Sequence, residues 1–363
     1  MRVLITGGGT GGHCTPAVAV AEVLRSTDPA GAVTYVGRAG GPEARIVAGA
    51  GIEFMGLSLG RMGSSRLTAT PRLLTRLPLA YQQARRVMGR FRPEVVLATG
   101  GYVSVPVALV AERRGIPVLL MEQNALPGRA VSWLARRAVT VATSFPETAA
   151  LLPGARVVCT GNPVRRQFTE LAAAGPMTDR PRRLLVMGGS QGAAHLNDVI
   201  LEALPRLLQA APPLEVTHLT GLGDHGRVAR VAGGLGIDRS RYRCLPFSDD
   251  MASELAAAGI VVMRAGASSL AEVSCLAKPM VLVPYPHAGN HQAANAAPFA
   301  KAGAAVVVPD PELTAERLRS EVFAILDDSS RWEAMARASW SLARPQAAAQ
   351  VAELLAQVAA RRR

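Results

Sequence analysis

A short apolar strand, a glycine-rich loop and a helix follow one another twice in this chain, about half a chain apart. Residues 3–20 read VLITGGGTGGHCTPAVAV, and residues 184–200 read LLVMGGSQGAAHLNDVI. This order of elements opens a βαβ unit, and βαβ units build parallel sheets that are covered by helices. The repeat therefore predicts an α/β fold with two similar Rossmann-like domains, each a doubly wound parallel sheet.

Eight apolar runs are expected to be buried strands of these sheets: residues 3–6, 33–36, 95–98, 118–121, 184–187, 216–219, 260–263 and 280–284. The length of 363 residues suits two domains. We place the boundary near residues 161–165, so that residues 1–163 form the first domain and residues 164–345 the second. The Ala/Leu-rich segment 346–363 is expected to be a helix that packs back on the first domain.

The composition favours a folded cytoplasmic protein. Hydrophobic residues make up 49% of the chain and charged residues 18%, which excludes a disordered chain. The four cysteines show neither a CxxC pair nor zinc spacing, so a reducing compartment fits. No signal peptide precedes the first strand, and no 18-residue stretch is continuously apolar, so we expect no transmembrane segment.

The positive charge is concentrated in one segment. The chain carries a net charge of +13, and residues 61–92 contain eight arginines and no acidic residue. Such a patch indicates an anionic partner. Aromatic residues are 4% of the chain, which argues against base-stacking nucleic-acid platforms. We expect a helix to begin at Thr70–Pro71 and Pro78 to interrupt it. The apolar residues between these arginines would enter an anionic membrane surface: Leu73, Leu74, Leu77, Tyr81 and Met88.

Three glycine-rich helix starts are suited to phosphate groups, because glycine lets the main chain approach closely and a helix amino terminus attracts negative charge. The first ends in Gly11, Gly12 and His13, the second contains Ser190, and the third is followed by Glu272. A carboxylate at Glu272 is placed to accept hydrogen bonds from a ribose diol. Together these loops favour a ligand with phosphate and sugar parts, bound between the domains.

Amide side chains follow the predicted strand 280–284 and suit sugar hydroxyls: Asn290, Gln292 and Asn295. The sequence has no DxD motif, since Asp249 and Asp250 are adjacent. His287 and His291 lack the carboxylate of an HExxH site. We therefore expect neither a metal nor another cofactor.

Nine motifs in this order closely resemble those of the MurG family of glycosyltransferases: GGGTGGH (7–13), ATGGYVS (98–104), EQN (122–124), GNPVR (161–165), GGSQGA (188–193), FSDDM (247–251), RAGASSLAE (264–272), HQAANA (291–296) and KAGAA (301–305). The resemblance implies a GT-B fold with two domains that face a cleft. It also implies inverting, metal-independent transfer of GlcNAc from UDP-GlcNAc to the MurNAc C4 hydroxyl of undecaprenyl-pyrophosphoryl-MurNAc-pentapeptide. This step converts lipid I to lipid II in peptidoglycan synthesis, at the cytoplasmic face of the cell membrane.

The resemblance also assigns roles to single residues. It makes His13 a candidate base, with Glu122 as the second candidate, and it places Asn124 and Gln292 on the GlcNAc hydroxyls. The other residues implied in substrate binding are Thr10, Gly11 and Gly12 in the cleft, Arg165 and Ser190 at the uridine and diphosphate, the main chain of Ser248 at the uracil, and Ala267, Ser268, Ser269, Leu270, Ala271 and Glu272 at the diphosphate and ribose.

Three alternatives stay open from the sequence. A paralogous transferase could use a modified lipid-linked acceptor. Gly7, Gly9 and Gly12 match GxGxxG, and Arg38 follows the second strand, which would suit an NADP-dependent oxidoreductase. A non-catalytic protein that binds nucleotide sugars would carry the same binding motifs.

Overall fold

The structure, a computed structural model, describes residues 1–8, 11–59, 66–176, 180–189, 192–210, 213–286 and 290–360, with the side chains of residues 66–75 left out. The chain divides into two compact units. The first unit is Met1–Arg166 together with Arg344–Arg363, and the second is Gln167–Ala343.

The first unit is built on a parallel sheet with strand order β3-β2-β1-β4-β5-β6-β7. Its strands are β1 (Arg2–Thr6), β2 (Ala32–Arg38), β3 (Glu53–Leu57), β4 (Val95–Ala98), β5 (Val118–Glu122), β6 (Thr140–Thr143) and β7 (Val157–Cys159). Both faces of the sheet are covered, so the central strands β1, β4 and β5 are apolar along almost their whole length.

Helices cover the two faces of this sheet. They are α1 (Gly11–Thr27), α2 (Glu43–Gly49), α3 (Arg66–Phe91), α4 (Ser104–Arg113), α5 (Arg129–Leu134) and, from the end of the chain, α14 (Ala347–Ala360). Helix α14 packs against α1, β4 and β5, where Val351, Leu355 and Val358 join the same apolar core as Val18 and Leu24. The end of the chain thus completes the first unit.

The second unit repeats the arrangement, with strand order β10-β9-β8-β11-β12-β13, all parallel. Its strands are β8 (Arg183–Met187), β9 (Glu215–Leu219), β10 (Tyr242–Leu245), β11 (Ile260–Met263), β12 (Met280–Leu282) and β13 (Ala305–Val307). Its helices are α6 (Arg166–Ala173), which begins at the boundary, α7 (Ala194–Leu208), α8 (His225–Gly233), α9 (Met251–Ala256), α10 (Ala267–Cys275), α11 (His291–Lys301), α12 (Ala315–Leu326) and α13 (Ser329–Ser341). The predicted fold class of two doubly wound parallel sheets is confirmed, and all eight predicted strands are present.

Helix α3 differs from its prediction. It begins at Arg66, not at Thr70–Pro71, and it continues through Pro78 to Phe91. A proline inside a helix removes one main-chain hydrogen bond, which this 26-residue helix tolerates. Met88, expected at a membrane surface, is instead buried together with Ala80 and Ala84. These three residues are four positions apart and share the helix face that packs on the core.

Candidate active site

In each unit, glycine-rich loops lie where the strand order reverses. In the first unit β1 and β4 are neighbours, and the loops after them carry Gly7–Gly8 and Thr99–Gly101. In the second unit β8 and β11 are neighbours, followed by Gly188–Gly189 and by Gly266. Connections leave such neighbouring strands toward opposite faces of the sheet, which opens a crevice at their carboxyl ends. Both crevices are therefore lined by main chain that a phosphate can approach.

The two glycine loops of the first unit are in close contact. Gly101 has a φ of +74°, and a Cβ atom there would overlap the main-chain oxygen of Gly8. A Cβ atom on Gly7 would overlap the Thr99 hydroxyl. Glycine at these positions thus allows an approach that no other residue could make.

His13 lies in the first turn of α1 and contacts the second glycine loop. Its Nδ1 is 2.7 Å from the main-chain oxygen of Thr99 and 3.0 Å from Oε1 of Gln123. A main-chain oxygen can only accept, so Nδ1 carries a proton and donates it to Thr99. In the neutral imidazole, Nε2 then holds the lone pair and is the atom available as a base.

Glu122 ends β5 and is almost completely buried. Its Oε1 accepts hydrogen bonds from the main-chain N–H of Asn124 at 2.9 Å and from Asn124 Nδ2 at 3.2 Å. Its Oε2 accepts one from the main-chain N–H of Gly128 at 2.8 Å. Both oxygens thus shape the loop that carries Asn124, which favours a positioning role for Glu122 over the role of a base.

Two further residues of this region were missed by sequence reasoning. Gln123 lies inside the EQN motif, yet only the structure shows it contacting His13. Glu43, the first residue of α2, is fully buried and accepts a hydrogen bond from the main-chain N–H of Arg38 at 2.8 Å. Room for the Glu43 carboxylate is made by Gly8 and Gly41, where a Cβ atom would overlap it. The glycines of the loop were a signal, but their contact with residue 43 is not local in sequence.

The neighbouring thiol is not an ionised nucleophile. Cys14 is buried beside Tyr35, with its Sγ 3.5 Å from the tyrosine hydroxyl. Burial raises the pKa of the Cys14 thiol to about 11. Cys14 is therefore protonated at neutral pH, and its position in the apolar core indicates a packing role.

In the second unit, the predicted diphosphate and ribose residues form the first turns of α10. The helix begins at Ala267 after Gly266, and the N–H of Leu270 donates to the oxygen of Gly266 at 2.9 Å. The Leu270 side chain is buried in the core, so it can offer a ligand only its main chain. Glu272, the sixth residue of α10, is largely buried. Ser268, Ser269 and Ala271 are partly buried.

Gln292 lies at the start of α11, and its Oε1 accepts a hydrogen bond from the main-chain N–H of Tyr285 at 2.9 Å. Asn295 is fully buried, and its Nδ2 donates to the main-chain oxygen of Ala265 at 3.2 Å, which ties α11 to the third glycine loop. Asn295 is therefore engaged in holding this loop. Ser248 lies in the loop after β10, directly after the exposed Phe247.

In the first unit, Gln123 joins His13 to the segment that carries Glu122 and Asn124. In the second unit, Asn295 ties α11, the helix of Gln292, to Ala265 in the loop before α10. The main chain of Gly11 begins α1, and Arg165 is partly buried just before α6. Thr10, Ser190 and His287 lie outside the described residues.

The described part of the chain contains neither a metal-binding cluster nor a membrane-spanning helix. No group of three or more His, Cys, Asp or Glu side chains there could hold a metal ion. No helix among the same residues combines the length and the apolar character needed to cross a bilayer.

Comparison with known proteins identifies the family. Residues 3–143 match the glycosyltransferase family 28 N-terminal domain, and residues 183–355 match the C-terminal domain of the same family. A protein of Anaeromyxobacter sp. (strain Fw109-5) is 42% identical over 100% of this chain and 94% of its own length. A protein of Pelobacter propionicus is 38% identical over 96% of this chain and 97% of its own length. Both are named UDP-N-acetylglucosamine--N-acetylmuramyl-(pentapeptide) pyrophosphoryl-undecaprenol N-acetylglucosamine transferase.

A solved structure agrees. The crystal structure of Acinetobacter baumannii MurG is 30% identical, covers 98% of this chain and 99% of its own, and superimposes with a TM-score of 0.76. The GT-B fold is thereby confirmed, and the oxidoreductase alternative finds no support. The chain therefore belongs to glycosyltransferase family 28 and, within it, to the MurG family of N-acetylglucosamine transferases.

Proposed function

We propose that this protein transfers GlcNAc from UDP-GlcNAc to the MurNAc C4 hydroxyl of undecaprenyl-pyrophosphoryl-MurNAc-pentapeptide, converting lipid I to lipid II. The observation that carries the proposal is the match, over the full chain, to relatives named for this transfer. UDP release that requires both the donor and the lipid-linked acceptor tests it. A paralogue would release UDP only with a modified acceptor.

The donor is assigned to the second unit. UDP would place its diphosphate at the amino terminus of α10, where main-chain N–H groups and the helix dipole favour negative charge. Glu272, one turn into the helix, would accept hydrogen bonds from the ribose diol. Gln292 would bind hydroxyls of GlcNAc, with Asn124 as a further contact. The loop that holds Ser190 and the main chain of Ser248 would complete the nucleotide site, together with Arg165.

His13 is proposed as the base of the reaction. Thr99 fixes the proton on Nδ1, which supports Nε2 as the acceptor of the proton from the attacking C4 hydroxyl. The oxygen forms a bond to C1 of GlcNAc while the bond from C1 to the phosphate oxygen breaks. UDP leaves with that electron pair on its β-phosphate, and His13 becomes an imidazolium. Glycine-rich helix starts stabilise the charge that develops on the leaving group.

The anionic membrane surface is proposed as the site where the enzyme meets its acceptor, at the cytoplasmic face of the membrane. On α3, Arg76, Arg85, Arg86 and Arg90 are exposed, and Leu79 is 48% exposed among them. Arg113, the last residue of α4, and Arg114, which follows it, extend the basic surface, because they hydrogen-bond to the Tyr81 hydroxyl and to the main-chain oxygen of Arg85. An apolar residue among cations is suited to a membrane with anionic headgroups.

The donor assignment predicts different losses for two variants. Glu272→Ala removes the ribose contact, so it should weaken UDP and UDP-GlcNAc alike, by about 1–3 kcal/mol. Gln292→Ala should weaken UDP-GlcNAc and leave UDP unchanged. Isothermal titration calorimetry of both ligands distinguishes the two patterns. Equal losses for both ligands in both variants would reject the assignment.

A further inference from the structure

A buried arginine holds the chain segment that leads to Gln292. Arg264 directly follows β11 and is 8% exposed. Its Nη1 donates to the main-chain oxygen of Val283, next to the end of β12, at 3.1 Å. Its guanidinium carbon lies 5.6 Å from the centre of the Tyr285 ring, a distance at which a cation is attracted to the aromatic face. Arg264 thus contacts this segment at two points, the main-chain oxygen of Val283 and the ring of Tyr285.

The held segment in turn orients Gln292. The N–H of Tyr285 donates to Gln292 Oε1 at 2.9 Å. This bond decides which end of the carboxamide faces the main chain, because an N–H group can bond only to the oxygen end. A shift of Tyr285 would therefore release the carboxamide from its fixed orientation.

Asp310 supplies the charge that keeps Arg264 in place. Its Oδ1 accepts a hydrogen bond from Arg264 Nη1, and its Oδ2 lies 3.4 Å from Nδ1 of His195 at the start of α7. Asp310 is 15% exposed, so the ion pair with Arg264 is largely shielded from water. Removing one partner of such a pair leaves the other charge buried without compensation. Loss of the Asp310 charge should therefore displace Arg264.

We propose that Asp310 and Arg264 are positioning residues for the donor sugar, which act on Gln292 through Tyr285 and so set the affinity for the GlcNAc part of the donor. The inference rests on the proposed function, in which Gln292 binds GlcNAc. Asp310 lies three contacts away from Gln292, so its effect requires no contact with the donor.

Asp310→Asn tests the inference by calorimetry with UDP and with UDP-GlcNAc. We expect the dissociation constant of UDP-GlcNAc to rise roughly tenfold, as for the loss of one buried hydrogen bond, and that of UDP to stay within about twofold. Asp327→Asn is the matched control. Asp327 pairs with Arg182, which directly precedes β8. This pair lies at the amino-terminal end of the strand, away from the glycine loop that follows β8, so its loss should leave both affinities unchanged.

A double-variant cycle shows whether the effect passes through Gln292. With Gln292→Ala already present, Asp310→Asn should cause no further loss of UDP-GlcNAc affinity, because residues that act through one contact are not additive. Additive losses would overturn the inference. Equal weakening of UDP and UDP-GlcNAc would also overturn it, since that pattern indicates general damage to the second unit.

A failure to fold and a failure of the proposed donor site can each be distinguished from a failure of the inference. If Asp310→Asn does not fold, as judged by thermal melting, Asp310→Glu replaces it, since glutamate keeps the charge but moves it by one methylene. This variant should again weaken the binding of UDP-GlcNAc and leave that of UDP unchanged, and unchanged affinities for both ligands would reject the inference.

If Gln292→Ala itself leaves UDP-GlcNAc affinity unchanged, the proposed donor site fails. A normal Gln292→Ala effect beside a neutral Asp310→Asn overturns only the inference.

Discussion

At the scale of single residues, the proposed chemistry depends on which nitrogen of His13 carries the proton. The main-chain oxygen of Thr99 lies 2.7 Å from Nδ1 and fixes the proton there. His13→Ala should therefore lower kcat by about 10²–10⁴-fold, as expected for the loss of a general base, and leave the affinity for UDP-GlcNAc nearly unchanged. Steady-state kinetics and calorimetry measure the two quantities.

Glu122→Gln provides the contrast to His13→Ala. The carboxylate accepts hydrogen bonds on both oxygens, and glutamine offers only one oxygen, so one side of the loop loses its partner. We expect a lower melting temperature beside a partial loss of turnover. A fall in turnover of less than about tenfold in His13→Ala would show that another group is the base. Glu122 would then be the next candidate for the base.

A second histidine makes the stability of the second unit depend on pH. His218 is fully buried, with Nε2 at 3.0 Å from Asn197 Oδ1 and Nδ1 at 3.0 Å from the Tyr242 hydroxyl. The Asn197 amide nitrogen donates to the main-chain oxygen of Thr220 at 3.0 Å, so Oδ1 is an acceptor and His218 Nε2 donates to it. Burial lowers the pKa of His218 from 6.5 to about 4.

The sign of the effect follows from this pKa. Well above pH 6.5 the histidine is neutral in both states, and as the pH falls through 6.5 toward 4 the unfolded chain takes up the proton while the folded chain does not. The second unit should thus lose about 2 kcal/mol of unfolding free energy between about pH 7 and about pH 5. Urea unfolding at the two pH values measures the loss. His218→Asn should remove this part of the pH dependence, and an unchanged dependence would contradict the assignment.

Sequence could locate residues only where a motif marks their place. The glycine pattern marks the helices that carry His13 and Glu272, and both helices are present, while the roles of the two residues stay predictions. The contact of His13 with Thr99 joins residues 86 positions apart. Glu43 and Gln123 could not be predicted from sequence. A buried polar side chain is identified by its hydrogen-bond partners, and those partners come together only in the folded unit.

At the scale of elements, the two glycine loops of the first unit are expected to act together. Gly101→Ala would overlap the main-chain oxygen of Gly8 and push the loops apart. Displacing catalytic groups by about 1 Å can cost about a hundredfold in rate, so we expect a loss of that order in kcat with unchanged UDP affinity. Steady-state kinetics and calorimetry measure the two quantities.

Gly115→Ala is the matched control, because Gly115 also has a positive φ, of +63°, but a Cβ atom there meets nothing within 4 Å. Both alanine variants should lose about 1–2 kcal/mol of stability from the left-handed conformation. Only Gly101→Ala should lose activity beyond that, and equal activity in the two variants would show that the close approach of the loops is unimportant.

Helix α3 is expected to bind anionic vesicles. Changing Arg72, Arg76, Arg85 and Arg86 to Glu should abolish flotation with anionic vesicles and leave UDP-GlcNAc affinity intact, and binding of the unaltered protein should weaken as salt rises. The control changes the net charge equally on exposed positions of the second unit: Arg230, Arg239, Arg317 and Arg337. Equal flotation of the two variants would place the membrane surface elsewhere.

The elements that sequence could predict are the central ones. Strands β1, β4 and β11 are buried on both faces, so their apolar runs stand out. Strands β3 and β13 lie at sheet edges, are partly exposed and were not predicted. Gly56 interrupts the apolar residues of β3, and β13 is only three residues long although residues 304–308 are all apolar. The predicted start of helix α3 was wrong. Proline is common in the first turn of a helix, so Pro71 indicated a start there, but Pro71 lies inside a helix that begins at Arg66.

At the scale of the whole molecule, the proposal divides the roles between the two units. The first holds the proposed base and the basic helix, and the second holds most of the residues assigned to UDP-GlcNAc. Both have the same arrangement of strands around the first strand of their sheet, with glycine loops at the point of reversal. Sequence predicted this duplication from two similar strand–loop–helix segments, since the pattern that builds one crevice builds the other.

The most direct test of the central claim is the linkage formed in a transfer reaction with the full-length protein. UDP-GlcNAc, in which GlcNAc is α-linked, and a lipid-linked MurNAc-pentapeptide are incubated with enzyme in the presence of EDTA, and the disaccharide product is examined by NMR. We expect a β-linked GlcNAc on the MurNAc C4 hydroxyl, with one UDP released for each linkage. Hydrolysis of the donor without transfer, an α-linkage, or loss of activity with the chelator would contradict an inverting, metal-independent transfer based on His13.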